Sequence, residues 1–348
     1  GGAFPGIVVG VYKDGKTFIK GYGVINTKSS QRPDGDTVFQ IGSVSKVLTA
    51  LLLQRLCDEG VVSMDTTLSE LLGESMALSP SVRSVTLRQL VTHTSGFPRV
   101  PQSLLSKVKE IAGDDDLMLD PYSYLTPRNV FDYLATAEGK TKGGRFEYSN
   151  YGMGLLAHVL EVVTGEDYES MVRKKILLPL GMRNTAITLS PELKEKLAQG
   201  YTAKGLPTRV WSFAALGGAG AYSSTAEDLT RFIQASVAES GLASKLLLEM
   251  SEKQFNGDTG IGWMQPSFID RFVGNHAVVW HNGMVGGYAS YLSLDAESKS
   301  GVAILTNQAI TIDMLGMMVT RQVRTQSWST NSSSINANAA EAKDRAPD

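Results

Sequence analysis

Strand-patterned segments lie at both ends of this 348-residue chain, and a long helix-patterned stretch separates them. Gly6 to Tyr12 is a short β-branched run. An Asp14-Gly15 turn and Thr17 to Gly23 complete a predicted β-hairpin. Near the other end, Ala277 to Trp280, Gly287 to Leu294 and Gly301 to Thr306 read as strands, and Met314 to Val323 as a closing helix. Between them Val47, Leu48, Leu51, Leu52 and Leu56 recur at helical spacing until Gly60 stops the helix. Further helices are predicted over Asp65 to Leu72, Thr86 to Thr92, Pro127 to Ala137, Tyr151 to Val163 (closed by Gly165), Tyr168 to Leu177 and Thr225 to Ala238. The last has Thr225 as N-cap and Asp228 as its capping-box partner. Residues 99–126 read as a surface excursion with a short helix in it, and Gly217 to Gly220 as a tight turn. A helical middle inserted into one sheet makes a two-lobed α/β protein with its active site at the seam. The expected division is a sheet lobe of about residues 1–45 and 205–326 and a helical lobe of about 46–204, one domain over 1–326. The polar stretch 327–348 is expected to be a flexible tail.

Composition narrows the function. The net charge is −2, which does not suit nucleic acid. Cys57 stands alone, so neither disulfides nor a cysteine zinc site is available. The four histidines, at 93, 158, 276 and 281, have no close pair spacing, so no metal or cofactor is called for. The longest apolar run, Val47 to Leu56, is interrupted by Thr49, Gln54 and Arg55, and no membrane span is expected. The chain opens Gly-Gly-Ala-Phe-Pro-Gly with no basic n-region, so it reads as lacking a signal peptide, as a trimmed chain would.

Three motifs carry chemistry. In Ser43-Val44-Ser45-Lys46, positions i and i+3 share a helix face, so the serine hydroxyl can approach the lysine amine. A desolvated lysine can take the serine proton. The competing reading of Ser43 is a helix N-cap. A second Ser-x-x-Lys, Ser106 to Lys109, is read as chance on a solvated segment. Tyr148-Ser149-Asn150 precedes a helix, where the phenol can shuttle a proton and Asn150 can hold both a lysine and a substrate amide. The competing reading is a half-buried aromatic with a capping asparagine. His281-Asn282-Gly283 lies in a strand, where Gly283 permits close approach of a ligand to the backbone. His93 reads as a structural hydrogen-bonder, His158 as packing or facing solvent, and Cys57 as a small buried apolar group.

Together the three motifs, in this order, resemble the penicillin-recognising serine enzymes. The resemblance is to the branch with tyrosine in the second motif: class C β-lactamases, serine DD-peptidases, D-aminopeptidases and family VIII esterases. Phe39 to Gly42, Leu90 to Gly96, Pro179 to Met182 and Gly220 to Leu229 extend it over about residues 4–325. It implies a β-lactamase/transpeptidase-like fold, an antiparallel sheet flanked by helices with an inserted all-helical lobe. It also implies an acyl-enzyme at Ser43, with Lys46 and Tyr148 handling the protons and Asn150 orienting the substrate. The oxyanion is expected between the backbone N–H groups of Ser43 and Met284, beside Gly283. The substrate is expected to be a small molecule or short peptide, with an extracytoplasmic location favoured.

Two departures stand out. His281 replaces the lysine of a Lys-Thr-Gly motif, which favours peptidase or esterase activity over strong β-lactamase activity. If His281 binds a substrate carboxylate, affinity should weaken as pH rises through about 6.5. The family usually has a helix before the first strand, and this chain starts almost at the strand, so that helix reads as lost, cleaved or absent. The sheet face it would cover is then expected to be covered by something else, self-association being one option. Two other readings stand beside the hydrolase: a catalytically silent binding or filament-forming scaffold, and an acyltransferase.

Overall fold

The computed structural model describes residues 5–137, 145–238, 260–264 and 278–326. The chain begins with β1 (Gly6–Lys13) and β2 (Lys16–Gly23). Asp14 and Gly15 between them both have positive φ, the geometry of a tight two-residue hairpin. β3 (Val38–Gln40) leads into a 3-10 turn, Gly42–Val44, and then α1 (Ser45–Asp58). The helical middle follows: α2 (Leu68–Leu72), α3 (Leu87–Val91), α4 (Gln102–Leu119), α5 (Pro127–Leu134), α6 (Asn150–Thr164), α7 (Tyr168–Val172) and α8 (Pro191–Glu195). The chain then returns through β4 (Gly200–Tyr201), β5 (Pro207–Thr208), α9 (Gly217–Gly220), β6 (Ser223–Thr225) and α10 (Ala226–Val237). It closes with β7 (Val278–Met284), β8 (Ala289–Asp295), β9 (Ser300–Thr306) and α11 (Asp313–Thr325).

The two ends meet in one antiparallel five-stranded sheet of order β2-β1-β9-β8-β7. β1 joins β9 in register from Ile7 opposite Thr306 to Lys13 opposite Ser300. Small residues let helices lie close on both faces. A Cβ on Gly10 would stand 2.7 Å from Thr230 of α10, and one on Gly301 would stand 2.5 Å from Ile233. On the opposite face a Cβ on Gly316 of α11 would stand 2.3 Å from the Tyr291 ring. That face has its own apolar cluster, in which Val11, Tyr291, Val302, Ile304 and Val323 are buried. Lys13 ties the end of β1 to α11 by donating to the carbonyls of Val323, Arg324 and Gln326.

The middle packs around α1, where every residue from Ser45 to Leu53 is buried. A helix buried on all sides lies at a centre, not a surface. α6 and α9 approach each other closely, since a Cβ on Gly218 would stand 2.6 Å from the Met153 carbonyl oxygen. This packing brings the starts of α1 and α6 and the end of α9 together.

Several expectations change in detail. α4 is 18 residues long with a break at Gly113 (φ 80°), more helix than Pro, Gly and acid content suggested. Ser106 and Lys109 lie on it, and Lys109 pairs with Asp114 at 2.8 Å on the surface. Gly217 to Gly220 form a helical turn instead of a tight turn. Thr225 does cap α10, accepting from the Asp228 N–H, but the Asp228 carboxylate faces elsewhere. It accepts from Asn184 N and Thr185 Oγ1 and pairs with Arg231. His276, Ala277 and the expected tail lie outside the described residues, as do residues 1–4.

Candidate active site

Ser43 sits in the 3-10 turn and not on α1 itself. Gly42 at φ +48° makes the turn possible. The turn is pinned from two sides: Ile41 N–H donates to the Tyr222 carbonyl at 3.0 Å, and Ser290 Oγ donates to the Ile41 carbonyl at 2.7 Å. The N-cap positions of the turn and of α1 are Ile41 and Val44, and neither makes a side-chain cap bond. The N-cap reading of Ser43 is therefore replaced, and its half-buried hydroxyl faces other side chains.

Lys46 is fully buried, and its Nζ has three oxygen neighbours. They are Ser43 Oγ at 3.1 Å, Asn150 Oδ1 at 2.8 Å and the Ala219 carbonyl at 2.6 Å. Burial, aided by the Arg99 charge, holds the Lys46 amine well below its ordinary range. Ser149 caps α6, accepting from the Gly152 N–H, and Asn150 opens that helix. Asn150 Nδ2 donates to the Tyr122 hydroxyl at 2.8 Å, which fixes the amide so that its oxygen meets Lys46.

Burial pushes the Tyr148 phenol up to about 12, although the nearby Ser43 hydroxyl acts to lower it. Its half-buried ring has cationic and aromatic neighbours. The His93 ring lies 4.6 Å away at 35°, Lys46 Nζ 4.8 Å from the ring centroid and the Arg99 guanidinium 5.3 Å from it. His93 is the structural hydrogen-bonder expected: its Nδ1 accepts from Ser149 N–H and its carbonyl from Glu147 N–H. Burial holds it neutral, so it packs against Tyr148 without adding charge.

β7 supplies the facing wall. His281 is buried, 6.5 Å from the Tyr148 ring, with Nδ1 donating to the Asn282 carbonyl. Burial, and secondarily the charge Lys46 carries when protonated, push its imidazole down to about 3. His281 is thus neutral throughout the physiological range, which overturns the expected loss of carboxylate binding near pH 6.5. A Cβ on Gly283 would stand 2.1 Å from the Ile41 carbonyl oxygen and 2.9 Å from Ser43 N. A Cβ on Gly42 would stand 3.0 Å from Met284 N. The backbone of the Ser43 turn therefore lies directly against that of Gly283 and Met284, as an oxyanion site between the Ser43 and Met284 N–H groups would require. Among the described residues no three His, Cys, Asp or Glu groups are arranged to hold a metal ion.

The structure thus brings Ser43, Lys46, Tyr148, Asn150, His281, Gly283 and Met284 to one place, where α1, α6 and β7 meet. A beta-lactamase family model matches residues 1–321. The chain belongs to the beta-lactamase family. That family comprises serine hydrolases such as β-lactamases and DD-peptidases. The human beta-lactamase-like 1 protein is 29% identical over 304 residues, covering 80% of this chain and 55% of its own length. The chain therefore spans about half of that relative. The D-alanyl-D-alanine-carboxypeptidase/endopeptidase AmpH of Escherichia coli K12 is 25% identical, covering 89% of this chain and 81% of its own. A β-lactamase/D-alanine carboxypeptidase from Pseudomonas syringae shares the fold, with TM-score 0.78 at 20% identity over 93% of this chain and 94% of that one.

Three contributors escaped the sequence reading. Arg99 follows the Leu90 to Gly96 stretch, and only its backbone bonds to α6 reveal its position. Tyr122 lies in a segment read as surface, yet it is buried and stacks on Phe213 at 4.9 Å. Ala219 contributes a carbonyl, for which no side-chain signal exists.

Proposed function

We propose that this chain is a serine hydrolase that forms an acyl-enzyme at Ser43 and cleaves an amide or ester. The observation that carries this is the partner set of Lys46. A neutral amine has two N–H donors and one lone pair. Asn150 Oδ1 and the Ala219 carbonyl can only accept, so they use the two N–H groups and leave the lone pair for the Ser43 hydroxyl. Lys46 is then the base. Tyr148, with its phenol pushed up to about 12, stays protonated and serves as a donor.

In the proposed reaction Ser43 Oγ bonds to the substrate carbonyl carbon as its proton passes to Lys46. The oxyanion is held by the N–H groups of Ser43 and Met284. The intermediate collapses with loss of the leaving group, which takes a proton from Tyr148. The Lys46 ammonium restores that proton. Water then attacks the ester carbonyl, giving its proton to Lys46, and Ser43 is released with a proton returned to Oγ.

Peptidase or esterase activity is favoured over strong β-lactamase activity because the neutral His281 lacks the fixed charge of a lysine. Likeness to D-alanyl-D-alanine carboxypeptidases supports a short D-peptide among the candidate substrates and an extracytoplasmic location. A silent scaffold has no use for a desolvated lysine held against a serine. The test is a panel of para-nitrophenyl esters, D-amino-acid para-nitroanilides, D-Ala-D-Ala peptides and nitrocefin, run on wild type and Ser43→Ala. Turnover lost in Ser43→Ala supports the reading; equal turnover in both, or none with any substrate, counts against it. Added alcohols or D-amino acids would reveal acyl transfer by product ratio.

A further inference from the structure

The walls of the site pose a charge problem. His281 is buried and neutral, and Lys46 is buried with all its partners inside the protein. Neither can offer a full positive charge to a substrate. Arg99 can. It is exposed, and among the described residues it makes no ion pair, in contrast to Arg55, Arg83, Arg88 and Arg231. Its guanidinium lies 5.3 Å from the Tyr148 ring centroid. Its charge bears on Lys46, Tyr148 and Tyr122 alike.

Its position is also held. The Arg99 carbonyl accepts from the N–H groups of both Asn150 and Tyr151, each at 3.0 Å. Next to it, the Pro98 carbonyl accepts from Ser149 Oγ at 2.8 Å. The loop is thereby clamped to the first turn of α6, the same turn that carries Asn150. An exposed arginine on a free loop spends most of its time in solvent. One whose backbone is bonded to the catalytic helix and whose head lies against the Tyr148 ring is kept where a ligand can meet it.

We propose that Arg99 is a substrate-binding residue that selects substrates with an acidic group, a carboxylate, on the part lying over Tyr148. This rests on the acyl-enzyme reading. The guanidinium fork suits a carboxylate, and its closeness to the apolar Tyr148 face lowers the local dielectric relative to open solvent. Arg99 would then supply the fixed positive charge that a lysine in the position of His281 would otherwise offer a carboxylate.

The experiment uses two matched ester pairs. One places the acid on the acyl side: mono-para-nitrophenyl glutarate against para-nitrophenyl butyrate. The other places it on the leaving side: 3-carboxyphenyl acetate against phenyl acetate. The readout is the ratio of kcat/KM for acidic over neutral ester, in wild type, Arg99→Lys, Arg99→Ala and Arg99→Glu. Taking the ratio matters, because removing Arg99 also relieves its effect on Lys46, and that change is common to both esters. In one pair the ratio should fall about fivefold in Arg99→Ala and further in Arg99→Glu, with Arg99→Lys between wild type and Arg99→Ala. The wild-type preference should shrink at high salt. Ratios that stay within twofold across all four proteins in both pairs, or a preference indifferent to salt, overturn the proposal while leaving the acyl-enzyme reading standing. Absence of turnover together with failure of a fluorophosphonate to label Ser43 overturns both.

Discussion

Gly283→Ala should disable the site through a single methyl group. Its Cβ would arrive 2.1 Å from the Ile41 carbonyl oxygen, 2.5 Å from Ser290 Oγ and 2.9 Å from Ser43 N. Ordinary carbon contacts begin at about 3.5 Å, so β7 and the Ser43 turn must separate by more than about 1 Å. Ser290 cannot yield independently, because its hydroxyl is the strut that holds Ile41. Met284 N–H moves with β7, away from where the oxyanion forms. A misplacement of about 1 Å at the reacting centre costs about 100-fold, and loss of an oxyanion donor costs about 100- to 1,000-fold. Overpacking adds about 1–3 kcal/mol of lost stability. Gly15→Ala serves as the control: Gly15 has φ +76° and nothing within 4 Å of an added Cβ. It should lose about 1 kcal/mol of stability and no acylation rate. The assay is the rate of Ser43 labelling by a fluorophosphonate, read beside thermal melts of both variants. Labelling of Gly283→Ala within threefold of wild type, at an unchanged melting temperature, would refute the close-approach argument.

Other predictions follow from the same geometry. Acylation should rise with pH as Lys46 loses its proton at a pKa below the ordinary lysine value, then stay level to at least about pH 10, because Tyr148 titrates near 12. Stopped-flow rates would check this, and a falling limb near neutrality would contradict it. Tyr148→Phe should cost about 100-fold or more on amides and much less on para-nitrophenyl esters, whose leaving group needs no proton; equal losses on both would count against the donor role. Substrate affinity should be flat between about pH 5.5 and 8, since His281 titrates near 3; a step near 6.5 would contradict its neutral state. His281 also binds fewer protons folded than unfolded. Its contribution to stability is therefore complete above about pH 6.5 and is lost as pH falls toward 3. His281→Gln should flatten that acid slope in melting temperature.

The periodic elements were legible because their cause is local. The Asp14-Gly15 hairpin, the Gly165 stop and the Thr225 cap each follow from one residue type in one backbone geometry. The site motifs were legible because hydroxyl, amine, phenol and amide recur in a known order. What stayed hidden depends on tertiary packing. Ser43 could not be told from a cap, since the 3-10 turn that holds it just ahead of α1 is pinned by a tertiary bond, Ile41 N–H to the Tyr222 carbonyl. The pH behaviour of His281 was misread because desolvation lies outside the sequence. Arg99 looked like one more loop cation until its carbonyl met the N–H groups of α6.

The central claim is that Ser43 becomes covalently acylated. Intact-mass measurement of wild type and Ser43→Ala, quenched during turnover of a slow ester, tests it directly, with the modified peptide then mapped. The account predicts one added acyl group on the peptide carrying Ser43 and none in Ser43→Ala. An unmodified wild-type protein that still turns over substrate, or an acyl group mapped to another residue, would contradict it.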